Sequence, residues 1–298
     1  MIKTLNDLLE IAKSKKTRRI AVAAAADMPV LLAVKEAKKV GIVIPILIGD
    51  EESIRSMAAE ISFDLSGIEI INEPNPAKAA RIAVQQVRNG NAEILMKGLV
   101  SSGDYLKAIL DKETGLRSGD TLSHLAFFES PYYHKLIAVT DAAMNVEPEF
   151  NDKVAMVNNA ITAFHKLGIK EPKIAIVGAV ETVNYKMSPS VDAALMTMMS
   201  KRGQFKGCII DGPLALDNAV SKEAAEHKGI DSPVAGDVDL IVTPDIYSGN
   251  VLYKSLNFLG GAAAAAVVMG AKVPVVLTSR SDSDHSKLMS IALAAAMD

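Results

Sequence analysis

Short runs of aliphatic and β-branched residues recur along the whole chain, at 19–25, 42–48, 68–72, 94–98, 122–129, 135–141, 173–178, 207–211, 240–244 and 273–279. Nearly all read as buried strands. Between most of them lie amphipathic segments with helix start and stop signals. Thr4-x-x-Asp7 stands before Leu5, Leu8, Leu9 and Ala12, and Asn75-Pro76 opens a segment that stops near Asn89-Gly90. Strand alternating with helix predicts an α/β fold built on a mostly parallel sheet.

One junction breaks the alternation. Runs 122–129 and 135–141 are joined only by Ser130-Pro-Tyr-Tyr-His134. That is too short for a parallel crossover, so the pair is predicted to be an antiparallel hairpin and the sheet to be mixed there. Thr140-Asp-Ala-Ala-Met-Asn-Val-Glu-Pro148 then has the turn-rich character of a domain crossing. With 298 residues the chain is long enough for two domains. The expected division puts 1–140 with 280–298 in the first and 141–279 in the second. The segment 281–297 reads as one closing helix, and the alanine tract 262–266 as a helix interior.

Composition narrows the class. Apolar residues at 49% and charged residues at 22% describe a core-forming globular chain. A net charge of −3, no Trp and 4% aromatic residues supply neither the basic footprint nor the stacking platforms of a nucleic-acid binder. Cys208 is the single cysteine, so internal disulfides and Cys-based zinc sites are excluded and a reducing, cytoplasmic setting is expected. The first ten residues are interrupted by acids where a secretion signal needs an unbroken apolar stretch. The longest apolar run, 258–271, has 14 residues and falls short of the roughly 20 that span a bilayer.

In open α/β sheets, ligands bind beyond the carboxyl ends of the strands, where the next helix presents free N–H groups. Three strand ends carry polar clusters: Lys97-Gly-Leu-Val-Ser-Ser-Gly103 with Ser101 and Ser102, Pro244-Asp-Ile-Tyr-Ser-Gly-Asn-Val-Leu-Tyr-Lys254, and Ser279-Arg280-Ser-Asp-Ser-Asp-His285. Hydroxyls and glycines beside a cation suit an anion. The same Ser and Asp residues also suit helix N-caps. Gly98 and Gly103 have the spacing of a P-loop, but Asp104-Tyr105 stand where Lys-Ser/Thr is required, and no GxGxxG follows the first strand, which disfavours ATP and NAD. The five histidines form no HxxxH or HExxH pair, so no metal site is assigned, although carboxylates remain able to hold magnesium. His124 reads equally as a core or a catalytic histidine. Cys208 reads as a buried thiol, and the basic run 13–19 as cations at a helix C-terminus. Glu181 and Asn184 are left open between ligand binding and tying down a loop.

Five stretches, taken together, resemble the phosphate acetyl/butyryltransferases: Leu95-Met-Lys-Gly-Leu-Val-Ser-Ser, the 140–148 segment with Asp141, Asp211-Gly-Pro-Leu-Ala-Leu-Asp-Asn-Ala219, the 244–254 segment, and Lys272-Val-Pro-Val-Val-Leu-Thr-Ser-Arg-Ser-Asp282. The resemblance is greatest to the butyryl-transferring branch and runs from about residue 94 onward. It implies reversible transfer of a short-chain acyl group, butyryl or branched-chain or acetyl, between coenzyme A and inorganic phosphate. It also implies a two-domain, three-layer α/β fold like that of isocitrate and isopropylmalate dehydrogenases, with the site in the interdomain cleft, and a homo-oligomer of at least two chains. Coenzyme A and phosphate enter as substrates, with no tightly bound cofactor, no nucleic acid and no membrane.

By the same resemblance Arg280 grips the phosphate and Ser279 hydrogen-bonds the reacting carbonyl or phosphate. Asn250 and Lys254 bind phosphate or the coenzyme, and Lys97, Ser101, Ser102, Asp141 and Asp245 belong to matching segments. The acetyl-transferring branch often carries an aspartate seven residues after the Ser of Ser-Arg, where this chain has Ser286. Asp284 is assigned as the substitute base, with Asp282 and His285 as alternatives, and an aspartate at 282 or 284 also suits the cap of the final helix. Attack of a coenzyme A thiolate on an acyl phosphate needs a modest base and fixed donors for the oxyanion, and no covalent acyl-enzyme. Two other readings are a dehydrogenase of the same fold, which needs metal carboxylates and a nucleotide pocket, and a non-catalytic ligand-binding protein.

Overall fold

The computed structural model describes residues 2–118, 121–278 and 282–297. In chain order the elements begin α1 (Leu5–Ser14), β1 (Arg18–Ala23), α2 (Met28–Lys39), β2 (Val43–Gly49), α3 (Glu51–Glu60), β3 (Glu69–Asn72), α4 (Pro76–Arg88), β4 (Ile94–Lys97) and α5 (Ser102–Leu110). The hairpin β5 (Ser123–Glu129) and β6 (Ile137–Thr140) follows, then α6 (Phe150–Lys166), β7 (Lys173–Val177), α7 (Ser188–Lys201), β8 (Ile209–Leu214), α8 (Leu216–Val220) and α9 (Lys222–His227). The last are β9 (Leu240–Val242), α10 (Ile246–Lys254) with a π-helical turn Ser255–Leu259, β10 (Ala263–Met269), β11 (Val275–Val276) and α11 (Asp284–Ala296).

The chain forms two compact units, each with its own group of neighbouring strands and its own buried residues. Unit I comprises Asn6–Asp120 and Ala265–Asp298, and unit II comprises Met1–Leu5 and Thr121–Ala264. In unit I the strand order is β3-β2-β1-β4-β11-β10. All neighbours there are parallel except β10, which runs antiparallel to β11. Ile20 to Ala23 and Ile94 to Met96 are buried, as their apolar side chains require. Edge strand β3 is polar at both ends, and its Glu69 holds Arg19 at 2.9 Å. Helix α4 shows how local signals set boundaries. Asn75 accepts the Lys78 N–H at 3.0 Å, Pro76 fills the first turn, and Ala79, Ala80, Ala83, Val84 and Val87 form the buried stripe.

In unit II the order is β5-β6-β9-β7-β8. β5 and β6 form the antiparallel hairpin expected from the short connection, with Phe127 opposite Ala138, and β6, β9, β7 and β8 are mutually parallel. Pro213 lies in edge strand β8, where a missing N–H is tolerated.

Two sequence expectations change. The division between units falls at 120/121 and 264/265 and not at 140/141 and 279/280. The hairpin belongs to unit II because β6 finds its second neighbour in β9, about a hundred residues later, with Val139 paired to Ile241. The turn-rich segment after residue 140 is therefore a loop inside one unit. The alanine tract is strand β10 and not helix interior. Ala264 to Val268 are all buried, so the segment lacks the polar face of an amphipathic helix, and pairing with β11 overrides the helix propensity of alanine. Helix α11 packs there too, and its Ser290 hydroxyl accepts the Ala266 N–H at 3.0 Å.

Candidate active site

Because β6, β7, β8 and β9 are parallel, their carboxyl ends share one edge of unit II, and α6, α7, α8 and α10 all follow from that edge. Asp141 stands there immediately after β6 and is 2% exposed. One carboxylate oxygen accepts the Ala143 and Met144 N–H groups at 2.8 and 3.0 Å. The other accepts the His124 N–H at 3.1 Å and the Asn145 side-chain amide at 2.6 Å. The Asp141 side chain thus folds the loop that follows it. The His124 ring packs edge-on against Tyr253, with centroids 5.8 Å apart.

Helix α10 is locked to this loop. Asp245 caps it, accepting the Ser248 N–H at 2.8 Å, and the Thr243 hydroxyl lies 3.2 Å from the Asp141 carbonyl. Gly249 admits the closest approach, since a Cβ there would fall 2.1 Å from the Asp141 carbonyl oxygen. Asn250 donates its amide to the Ala142 carbonyl at 3.0 Å. Lys254 is exposed, one turn beyond Asn250 on the same face of the helix. Asp141, Asp245, Asn250 and Lys254 are therefore brought together. Thr243 and Gly249 join them unannounced by the sequence, although a threonine beside Pro-Asp and a glycine inside a helical segment were the available signals.

Unit I gathers its candidates on one edge in the same way, because β1, β4 and β11 are parallel and α2, α5 and α11 start beyond their carboxyl ends. Lys97 ends β4 and is buried, its ammonium 3.3 Å from the Gly98 carbonyl. Gly98 is pressed against β1, where an added Cβ would lie 2.3 Å from the Ala24 carbonyl oxygen. Ser101 caps α5. It accepts the Asp104 N–H at 3.0 Å and donates to the Asp104 carboxylate at 2.8 Å, and Ser102 beside it is exposed. The N-cap of α11 is Ser283 and neither neighbouring aspartate, with its hydroxyl accepting the Ser286 N–H at 3.1 Å and donating to the Ser286 hydroxyl. This leaves Asp284 exposed in the first turn. Ser279 and Arg280 lie outside the described residues. Among the described residues no group of His, Cys, Asp and Glu side chains is arranged to hold a metal ion.

The open readings resolve toward structure. Glu181 is bridged by Lys228 at 2.6 Å, which also reaches Asp217 at 2.8 Å, and Asn218 donates to the same Glu181 oxygen at 2.9 Å. The Lys228 hydrogen bond holds the Glu181 carboxyl below its ordinary range. Asn184 organises its loop through Ser190 and Lys186. Cys208 is half-buried where a buried thiol was expected, and that burial pushes the thiol up to about 11. In the basic run, Lys15 donates to the Ala296 carbonyl at the end of α11, and Arg18 and Arg19 reach Glu93 and Glu69.

Residues 3–81 and 72–295 match the family described as Phosphate acetyl/butaryl transferase. The chain belongs to this family. It is 48% identical over 295 residues to the phosphate butyryltransferase of Clostridium acetobutylicum, covering 99% of this chain and 98% of that protein. Phosphate acetyltransferase of Thermotoga maritima is 44% identical, with 98% of each chain covered. The crystal structure of a branched-chain phosphotransacylase from Enterococcus faecalis superposes with a TM-score of 0.82 at 35% identity, over 94% of this chain and 98% of that one. Family membership makes the chain an acyltransferase.

Proposed function

We propose that the protein transfers a butyryl or branched-chain acyl group, and acetyl as a smaller alternative, reversibly between coenzyme A and inorganic phosphate. The observation that carries this reading is the near-complete match to a relative named phosphate butyryltransferase, at 48% identity with the strand-end segments included. Toward acyl-coenzyme A, the coenzyme thiol gives its proton to Asp284 and the sulfur attacks the acyl carbon of the acyl phosphate. A carbon–sulfur bond forms. The tetrahedral oxyanion then collapses, the carbon–oxygen bond breaks, and phosphate leaves with the electron pair.

In this scheme Ser279 donates to the oxyanion, and Arg280 holds the phosphate through two parallel N–H···O bonds. Lys254, exposed at the end of α10, and buried Lys97 supply positive charge for phosphate or the coenzyme. Asp245, Ser101, Ser102 and Ser286 stand at helix starts that present N–H groups, and Asn250 ties α10 to the loop that Asp141 folds. Asp141 serves indirectly, by folding the loop against which α10 rests.

Initial rates measured with acyl-coenzyme A and phosphate both varied test the scheme. Intersecting lines are expected, whereas parallel lines would require an acyl-enzyme. Arg280→Ala is expected to lower kcat/KM by about 10²–10³-fold or more. We further propose a cytoplasmic homo-oligomer of at least two chains, supported by the exposed apolar side chains of Tyr247 and Val251, one turn apart on α10, and of Phe258 beyond it.

A further inference from the structure

Two cavities of unit II lie at opposite edges of its sheet. The one at the amino ends of β6, β7 and β9, about 380 Å³, is lined by Lys135, Lys173, Asp237 and Asp239. Those charges are paired with one another at 2.6 to 2.9 Å, which leaves nothing to select a ligand.

The cavity at the carboxyl ends of β7 and β9 is different. It measures about 310 Å³, at the lower end of the ~300–1,000 Å³ usual for small-molecule sites. Val177, Val180, Met187, Pro189 and Pro244 line it. Two hydroxyls stand on its wall, and both are committed to the chain itself. The Ser190 hydroxyl lies 2.8 Å from the Met187 carbonyl and 2.9 Å from that of Asn184, and it accepts the Asn184 N–H at 2.9 Å. The Ser248 hydroxyl lies 2.9 Å from the Asp245 carboxylate and 3.0 Å from its carbonyl. A phosphate here would find neither hydroxyl hydrogen free, whereas a short aliphatic chain matches the apolar side chains that make up most of the lining. Pro244 and Ser248 also flank Asp245, on the segment that carries Asn250 and Lys254.

We infer that this cavity receives the aliphatic chain of the acyl group, with Val180 and Met187 setting the preferred chain length. The inference rests on the acyl-transfer reading given above. Both side chains are half-buried, so changing them alters the cavity wall and not the core.

The test measures kcat/KM for acetyl-, butyryl- and hexanoyl-coenzyme A with phosphate in the unaltered protein, Val180→Phe and Met187→Ala. Narrowing by Val180→Phe is expected to lower the butyryl-to-acetyl ratio tenfold or more. Met187→Ala removes bulk, is independent of whether the larger residue fits, and is expected to raise the hexanoyl-to-butyryl ratio severalfold. Unchanged ratios in active variants would overturn the inference and leave acyl transfer standing. An equal loss on all three thioesters would also overturn it, by placing the shared coenzyme portion in the cavity. Absence of phosphate-dependent turnover in the unaltered protein would overturn the acyl-transfer reading and this inference with it.

Discussion

Asp141 accepts four hydrogen bonds on two oxygens at a position that is 2% exposed. Asp141→Ala leaves those donors without an acceptor and is expected to destabilise the fold by about 3 kcal/mol or more, read from urea denaturation. A loss under about 1 kcal/mol would contradict the anchoring role. The residue type and its place in the 140–148 segment were legible in the sequence. Its one distant partner was not, because His124 lies 17 positions earlier and a local pattern carries no record of that approach. The charged group at the other edge of unit II was equally hidden. Burial opposes ionisation of Asp237, but hydrogen bonds from Lys173, Lys135 and His134 override it and hold the carboxyl well below the ordinary range. A depressed carboxyl stabilises the fold above its unfolded value of about 3.9 and loses that contribution as the pH falls toward the folded value. The stability gap between the unaltered protein and Asp237→Asn is therefore expected to be full at pH 7 and to shrink below about pH 4. A gap that widened on acidification would have the wrong sign.

Among the elements, α10 depends most on one close contact. Gly249→Ala would place a methyl 2.1 Å from the Asp141 carbonyl oxygen. The helix must then move, at a cost of about 1–3 kcal/mol, and carry Asn250 and Lys254 out of place. A fall in kcat/KM larger than the fall in stability accounts for is expected, and unchanged kinetics would separate α10 from the reaction. Elements with local signals were readable in advance. The short connection dictated the β5–β6 hairpin, and Asn75-Pro76 and Asn89-Gly90 bracketed α4. β10 was not readable, because an alanine run scores as helix by propensity and only burial beside β11 makes it a strand. The helix starts show the same division. Ser and Asp at strand ends were legible as caps or as ligands, and the geometry makes caps of Ser101, Asp245 and Ser283.

At the scale of the molecule, the division into units followed from a pairing between strands about a hundred residues apart, β6 with β9, which composition does not foretell. The exposed apolar side chains of α10 and its extension bear on assembly. Val251→Glu is expected to shift the sedimentation profile toward a single chain, and an unchanged profile would move the interface elsewhere. Transfer of an acyl group to phosphate is the central claim, and release of free thiol reports it directly. The decisive measurement follows thiol release from acetyl-, butyryl- and isobutyryl-coenzyme A with and without phosphate. The account predicts release that requires phosphate and is fastest with butyryl- or isobutyryl-coenzyme A. Release from none of the three, or release indifferent to phosphate, would contradict it.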